Sequence, residues 1–176
     1  DIAALSGTWS IAEGSAAGYR VDEVQNGTDV TVTGRTSRVT GSLTVDGLAL
    51  TAAAFEVDVA SITTDSASRD DYFRDEALQA GRFPTATFVL TAPAEIDTAP
   101  VSGEAVEQQF TGDLTLAGVT RSVTFTAQAR TDDATAEIAG QIPIVFADFG
   151  ITAPSLGFVS VEPEGFVEFE LVLTRS

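Results

Sequence analysis

The chain has no cysteine, no histidine, no lysine and no methionine. Each gap removes a class of chemistry. Without Cys or His, the usual side-chain ligand sets for zinc, copper, haem and iron–sulfur centres cannot be assembled. The same two absences exclude Ser-His-Asp and Cys-His nucleophile arrangements, and the lack of Lys excludes Schiff-base catalysis. A Walker-type phosphate loop needs its Lys and is excluded with them. No cofactor and no metal are therefore expected, and no catalytic residue is assigned. With no Cys, no disulfide pattern speaks for or against an oxidising compartment. Nor does any apolar run approach the ~20 residues of a membrane-spanning helix.

Positive charge is scarce: nine Arg stand against 26 Asp and Glu, a net charge of −17 over 176 residues. Nucleic acid is disfavoured as a partner, because that affinity rests on Lys and Arg neutralising phosphates. The charge serves solubility, and its average face would be repelled by an anionic membrane. The length suits one domain, residues 1–176, with a full hydrophobic core. The chain starts at Asp1 and lacks Met, so a processed product or trimmed form is expected. A signal peptide or lipid anchor upstream is compatible with that.

What is present is alternation. Trp9 and Ile11 alternate with Thr8 and Ser10, Val30 and Val32 with Thr31 and Thr33, and Val39, Gly41, Leu43 and Val45 form another set. Phe110, Leu114 and Leu116 follow, then Val123, Phe125, Ala127 and Ala129. Ile138, Ile142, Ile144 and Phe146, then Val167, Phe169, Leu171 and Leu173, complete the series. Polar partners between them mark an antiparallel sheet with one wet face. Asn26-Gly27 and Asp46-Gly47 read as two-residue hairpin turns, and Ala94 to Gly103 as a longer loop. The expected fold class is all-β, an antiparallel barrel of about eight strands with one short helix.

That helix falls in the most distinctive stretch, Phe55 to Phe88. Phe55, Val57 and Val59 alternate with Glu56 and Asp58 as in a strand, which Ser61-Ile62-Thr63-Thr64 closes. Ser68 is the expected helix N-cap, Asp70 and Arg74 an i,i+4 ion pair, and Gly81 the stop. Pro84 then holds Phe83 extended before Thr85-Ala86-Thr87-Phe88.

Three segments of this region (Ser61-Ile62-Thr63-Thr64, Arg69-Asp70 with Phe73, and Phe83-Pro84-Thr85-Ala86-Thr87-Phe88) together resemble the YceI-like family of polyisoprenoid-binding proteins. Gly112-Asp113-Leu114-Thr115-Leu116-Ala117-Gly118-Val119-Thr120-Arg121 is similar to that family's Gly-x-Leu-Thr-x-x-Gly-Val-Thr-basic hairpin. Trp9-Ser10-Ile11 and Phe146-Ala147-Asp148-Phe149-Gly150-Ile151 fall where the family has similar segments, so the resemblance covers nearly the whole chain. It implies a lipocalin-like barrel that encloses a long isoprenoid chain and has no enzymatic role. Three departures stand out: Ala117 and Tyr72 occupy places where the family often carries His, and Phe73 replaces its usual Leu.

A barrel of this size either fills its bore or holds one small ligand, and alternation alone leaves both open. Ala53, Ala86, Ala127, Ala129, Gly112 and Gly140 on the inward list would leave volume unless large residues oppose them. The resemblance favours a ligand. The candidate lining is Phe55, Phe73, Leu78, Phe83, Phe88, Phe110, Leu114, Phe125, Phe146, Phe149 and Phe158, with Phe73, Phe83, Phe146, Phe149 and Phe158 at a barrel mouth. Arg69, Arg74 and Arg82 are candidate head-group ligands, since a guanidinium fork suits phosphate, though nearby acids compete for them. Asn26-Gly27-Thr28 also fits a glycosylation sequon, which the turn explains as well.

The expected function is non-catalytic binding or transport of a polyprenyl lipid or isoprenoid quinone. The alternative is a packed-barrel extracellular interaction module with no small-molecule ligand, and a carboxylate-only hydrolase is a third reading. Peripheral membrane contact is compatible with the lipid reading, without an integral membrane segment, and the oligomeric state stays open, a dimer included. By the resemblance, the protein is bacterial and exported: periplasmic, secreted or anchored to the envelope.

Overall fold

In the computed structural model, residues 5–96, 100–132, 134–152, 155–156 and 159–175 are described, with side chains given outside 155–160. The alternating segments form strands, because each puts its apolar residues on one face and its Thr, Glu and Gln residues on the other. They are β1 (Gly7–Ile11), β2 (Ala16–Gln25), β3 (Thr28–Thr36), β4 (Val39–Asp46), β5 (Ala49–Asp58) and β6 (Thr85–Leu90). Then come β7 (Ala94–Glu95), β8 (Val106–Leu116), β9 (Val119–Asp132), β10 (Thr135–Val145), β11 (Ser155–Leu156) and β12 (Val159–Arg175).

Pairing runs β1-β4-β5-β6-β8-β9-β10-β12, and β12 returns to β1, which closes an antiparallel barrel of eight strands. Closure removes the free edges of that ring of eight strands. The long β12 serves two partners on one side: Leu173 to Arg175 pair with β1, whereas Val159 to Glu170 pair with β2. The β2–β3 hairpin therefore continues the β1–β4 pair along the same wall, in nearly the same register, and one bridge, Arg35 to Thr63, ties it to the segment after β5.

Turn chemistry sets much of the register. Asn26-Gly27 and Ala117-Gly118 have both central residues at positive φ, 52° and 79° in one and 48° and 77° in the other. That is the twist which matches flanking antiparallel strands. The turn between β4 and β5 is Gly47-Leu48 rather than Asp46-Gly47, since Asp46 stays in the ladder opposite Ala49. A register irregularity between Thr44 and Val45 displaces the hairpin tip by one residue.

The helix α1 spans Ala67–Tyr72 and widens into a π turn over Phe73–Ala77. Its N-cap is Ser66, not Ser68: the Ser66 hydroxyl accepts from the Arg69 N–H at 3.3 Å. Asp70 draws the chain into this start. Its carboxylate accepts from the Thr64 N–H at 2.9 Å and from the Thr64 hydroxyl at 2.7 Å. Asp70 therefore does not pair with Arg74, which instead donates to Asp71 and Asp75. The stop is Gln79 at φ 48°, two residues before Gly81, with the Ala80 N–H returning to the Arg74 carbonyl at 2.7 Å.

Candidate functional site

The bore of the barrel is apolar and is not completely filled. A void of about 100 Å³ runs between β2, β4, β5 and β6 on one wall and β8, β9, β10 and β12 on the other. Phe55, Phe88, Phe110, Leu114 and Phe125 line it, and among the described residues Thr87 is the only polar one that does so. Four rings give it a preferred shape. Phe125 stands edge-on to Phe88 and Phe169 at 5.3 and 5.7 Å, and tilted to Phe110 at 5.8 Å. Ring edges against ring faces are favourable, but they tile space less completely than aliphatic chains. Phe88, Ile138, Val167 and Phe169 line the void and are only partly buried, because a gap takes the place of a neighbour.

A second void, also about 100 Å³, lies toward the Gly47-Leu48 end. Leu5, Trp9, Val45, Ala94, Val106 and Ala129 are among its walls. Trp9, the one tryptophan, is 2% exposed, and its indole N–H donates to the Leu5 carbonyl at 2.9 Å. Gln108, Arg130 and Thr131 supply polar groups to its wall.

The opposite end, where α1 lies, is packed shut. Phe73, Ala77, Phe146, Phe149 and Ile151 are all buried in one cluster with Tyr19, Val21 and Leu116. Phe73 stacks on Tyr19 with centroids 4.4 Å apart and planes 14° off parallel. Burial pushes the Tyr19 hydroxyl well above its usual range, so it stays neutral. Leu78 is partly buried and packs against this cluster. Phe83 covers Gly118, where a Cβ would come within 2.4 Å of its ring. Phe73, Leu78, Phe83, Phe146 and Phe149 thus sit together at one end and touch neither void, while Phe158 lies outside the described residues.

The three arginines have separate fates. Arg69 Nε lies 3.0 Å from Glu23 Oε1 and its Nη2 lies 3.1 Å from Oε2, which fixes α1 to β2. The hydrogen bonds that Arg69 donates to Glu23 hold its guanidinium above even its ordinary value, against the effect of burial. Arg74 is exposed and engages Asp71 at 2.8 Å and Asp75 at 3.0 Å, which keeps the Asp75 carboxyl below the usual carboxylate range. Arg82 rests over the Phe83 ring, 5.0 Å from its centroid. None of the three lines either void.

The list from sequence omitted Leu50 and Leu90, and also Phe169, Ile138, Ile142 and Leu171, although alternation had put the last four indoors. Trp9 was legible as a strand residue but not as the wall of a second chamber. Among the described residues no helix is long and apolar enough to cross a membrane.

An eight-stranded antiparallel barrel with an apolar bore, plugged at one end by a helix, belongs to the lipocalin-like class of barrels. A family model, the YceI-like domain, matches residues 9–173, and the chain is a member of the YceI-like family. The proteins YceI of Salmonella arizonae and Salmonella paratyphi B are each 36% identical over 123 residues, covering 65% of this chain. The match spans 59% of the length of those curated relatives. Among solved structures, a polyisoprenoid binding domain from Saccharophagus degradans implicated in plant cell wall breakdown superposes with a TM-score of 0.75. It is 18% identical, with 97% of this chain and 99% of that one covered. BcnA of Burkholderia cenocepacia gives a TM-score of 0.68 at 23% identity, covering 88% of this chain and 95% of its own. At these identities the likeness is one of fold.

Proposed function

We propose that this protein binds a long apolar lipid, a polyprenyl lipid or isoprenoid quinone, by enclosing its tail in the bore without catalysis. The observation that carries this reading is a void walled by apolar side chains, with Thr87 as the one polar exception among the described residues. Family membership supports a lipid partner and a place outside the cytoplasm. Each enclosed CH₂ contributes roughly 0.8 kcal/mol, so a few isoprene units give useful affinity even after the tail is ordered.

Recognition rests on the tail. Arg69 and Arg74 already hold carboxylates, and with a net charge of −17 an anionic head group gains nothing from the protein as a whole. Phe55, Phe88, Phe110, Leu114 and Phe125 make the contacts in this reading, while the residues of the plug set the depth of the bore.

The small voids favour a second reading, a packed barrel that acts as an interaction module. Organic extraction of purified protein followed by mass spectrometry separates the two. A stoichiometric isoprenoid supports binding. An empty extract, together with no uptake of solanesol or a quinone from micelles, leaves the packed barrel. Binding of a neutral alcohol should be nearly independent of salt, whereas a pyrophosphate-led interaction would weaken as salt rises.

A further inference from the structure

The two voids are not one tunnel. Leu43, Leu50, Phe110 and Ile138 line both. They come from β4, β5, β8 and β10, so the bore is crossed from opposite walls. Leu43 and Phe110 are 5% and 7% exposed, whereas Leu50 and Ile138 are only partly buried.

We propose that these four side chains form an internal septum that determines which tail lengths the barrel accepts. The inference rests on the lipid-binding reading and adds its specificity. Size carries the argument. A dry apolar cavity of about 150 Å³ takes a single benzene ring, and an isoprene unit has a similar bulk. Each chamber of about 100 Å³ is smaller than that and takes at most one such unit at rest. A longer tail extends past one chamber only if septum side chains leave their rotamers. Phe110 matters most, because its ring also leans on Phe125 at 5.8 Å, so moving it disturbs the ring cluster of the first chamber.

The chain contains a reporter for this. Trp9 is the only tryptophan and it walls the second chamber alone. A second reporter, Phe125→Trp in a Trp9→Phe background, watches the first. Geraniol, farnesol, geranylgeraniol and solanesol are titrated, with total binding read by equilibrium dialysis and mass spectrometry. The expected result is a length below which one reporter responds and above which both do. Phe110→Ala should lower that threshold by at least one isoprene unit, and Ile138→Phe should raise it. The affinity ratio of long to short alcohols should move by about tenfold in opposite directions in the two variants. Leu114→Ala removes bulk from the first chamber away from the septum and should shift all lengths alike. Leu50→Ala stands in for Phe110→Ala if that variant does not fold. Both reporters responding to every length, or a threshold that Phe110→Ala, Leu50→Ala and Ile138→Phe leave in place, overturns the septum. No binding of any alcohol to the unaltered protein is a different outcome, and it overturns the lipid-binding reading itself.

Discussion

Replacing Arg69 by Ala removes one half of a nearly dry ion pair, and the structure fixes what is left behind. The Glu23 side chain is 3% exposed and that of Arg69 15%. After the change the Glu23 carboxylate keeps the Gln25 amide, which donates to it at 2.8 Å, but has lost both guanidinium bonds. Stranding a buried charge in this way costs about 3–5 kcal/mol. The lost contact to Asp65 adds little, because that carboxylate is 94% exposed. For a chain of this length the midpoint of thermal unfolding should fall on the order of 10 °C. The assay is urea unfolding at neutral pH of the parent, Arg69→Ala, Glu23→Gln and the double variant Glu23→Gln with Arg69→Met. The double variant should recover most of the loss, since no unpaired charge remains. A loss below about 1 kcal/mol in Arg69→Ala would refute the claim that this pair anchors α1 to the barrel. Stability retained together with lipid binding abolished would give Arg69 to a head group instead.

Phe125→Ala should destabilise the fold by about 3–5 kcal/mol, read by the same urea series, because it deletes the ring that Phe88, Phe110 and Phe169 share. Ala129→Trp should fill the second chamber and block long tails while leaving circular dichroism dominated by strand, provided dialysis shows the parent binds them. Stability should fall as pH rises above about 10, where tyrosine ionises in the unfolded chain. The buried Tyr19 cannot ionise until higher pH, so the unfolded state binds fewer protons there and gains. Tyr19→Phe should flatten that alkaline decline, and an unchanged slope in urea titrations would show that another group sets it. Gly118→Val should destabilise by at least about 2 kcal/mol, through positive φ and through collision with the Phe83 ring.

Much of the architecture was legible because an antiparallel barrel writes its two faces into the chain at period two. In β9, Phe125 and Ala127 are buried while Thr124, Thr126 and Gln128 are exposed, the pattern read from sequence. Asn26-Gly27 was legible because only a few residues adopt two successive positive φ values. Where local rules failed, a distant partner had overruled them. The turn at Gly47-Leu48 is displaced by an irregularity in pairing between β4 and β5. Asp70 follows Thr64 rather than Arg74, and the partner of Arg69 is Glu23, on β2, which no i,i+4 rule can find. The continuation of the β1–β4 pair into the β2–β3 hairpin was not legible either. Nothing local in β12 tells that its two halves face different strands along one side.

The candidate site divides along the same line. Strand residues with a clear inward phase, Phe55, Phe88, Phe110, Leu114 and Phe125, reach the first void. Residues at strand ends had no phase to read. Whether Phe73, Phe146 and Phe149 rim a mouth or close it depends on α1 folding across the end, and here they close it. Small residues were expected to leave volume, yet the six behave in two ways. Ala53 and Ala86 border the first void and Ala129 the second. Gly112 is instead covered by the Phe88 ring, whose atoms would lie 2.5 Å from an added Cβ. Gly140 lets its own wall approach Phe169 and the sixth, Ala127, which borders neither void, at 3.1 and 2.9 Å from such a Cβ. A small side chain therefore creates space only where nothing across the barrel is free to advance into it. In this bore space survives beside Phe88, Phe125 and Phe169, because each ring is already held edge-to-face by another and none can turn to fill the gap without breaking that contact.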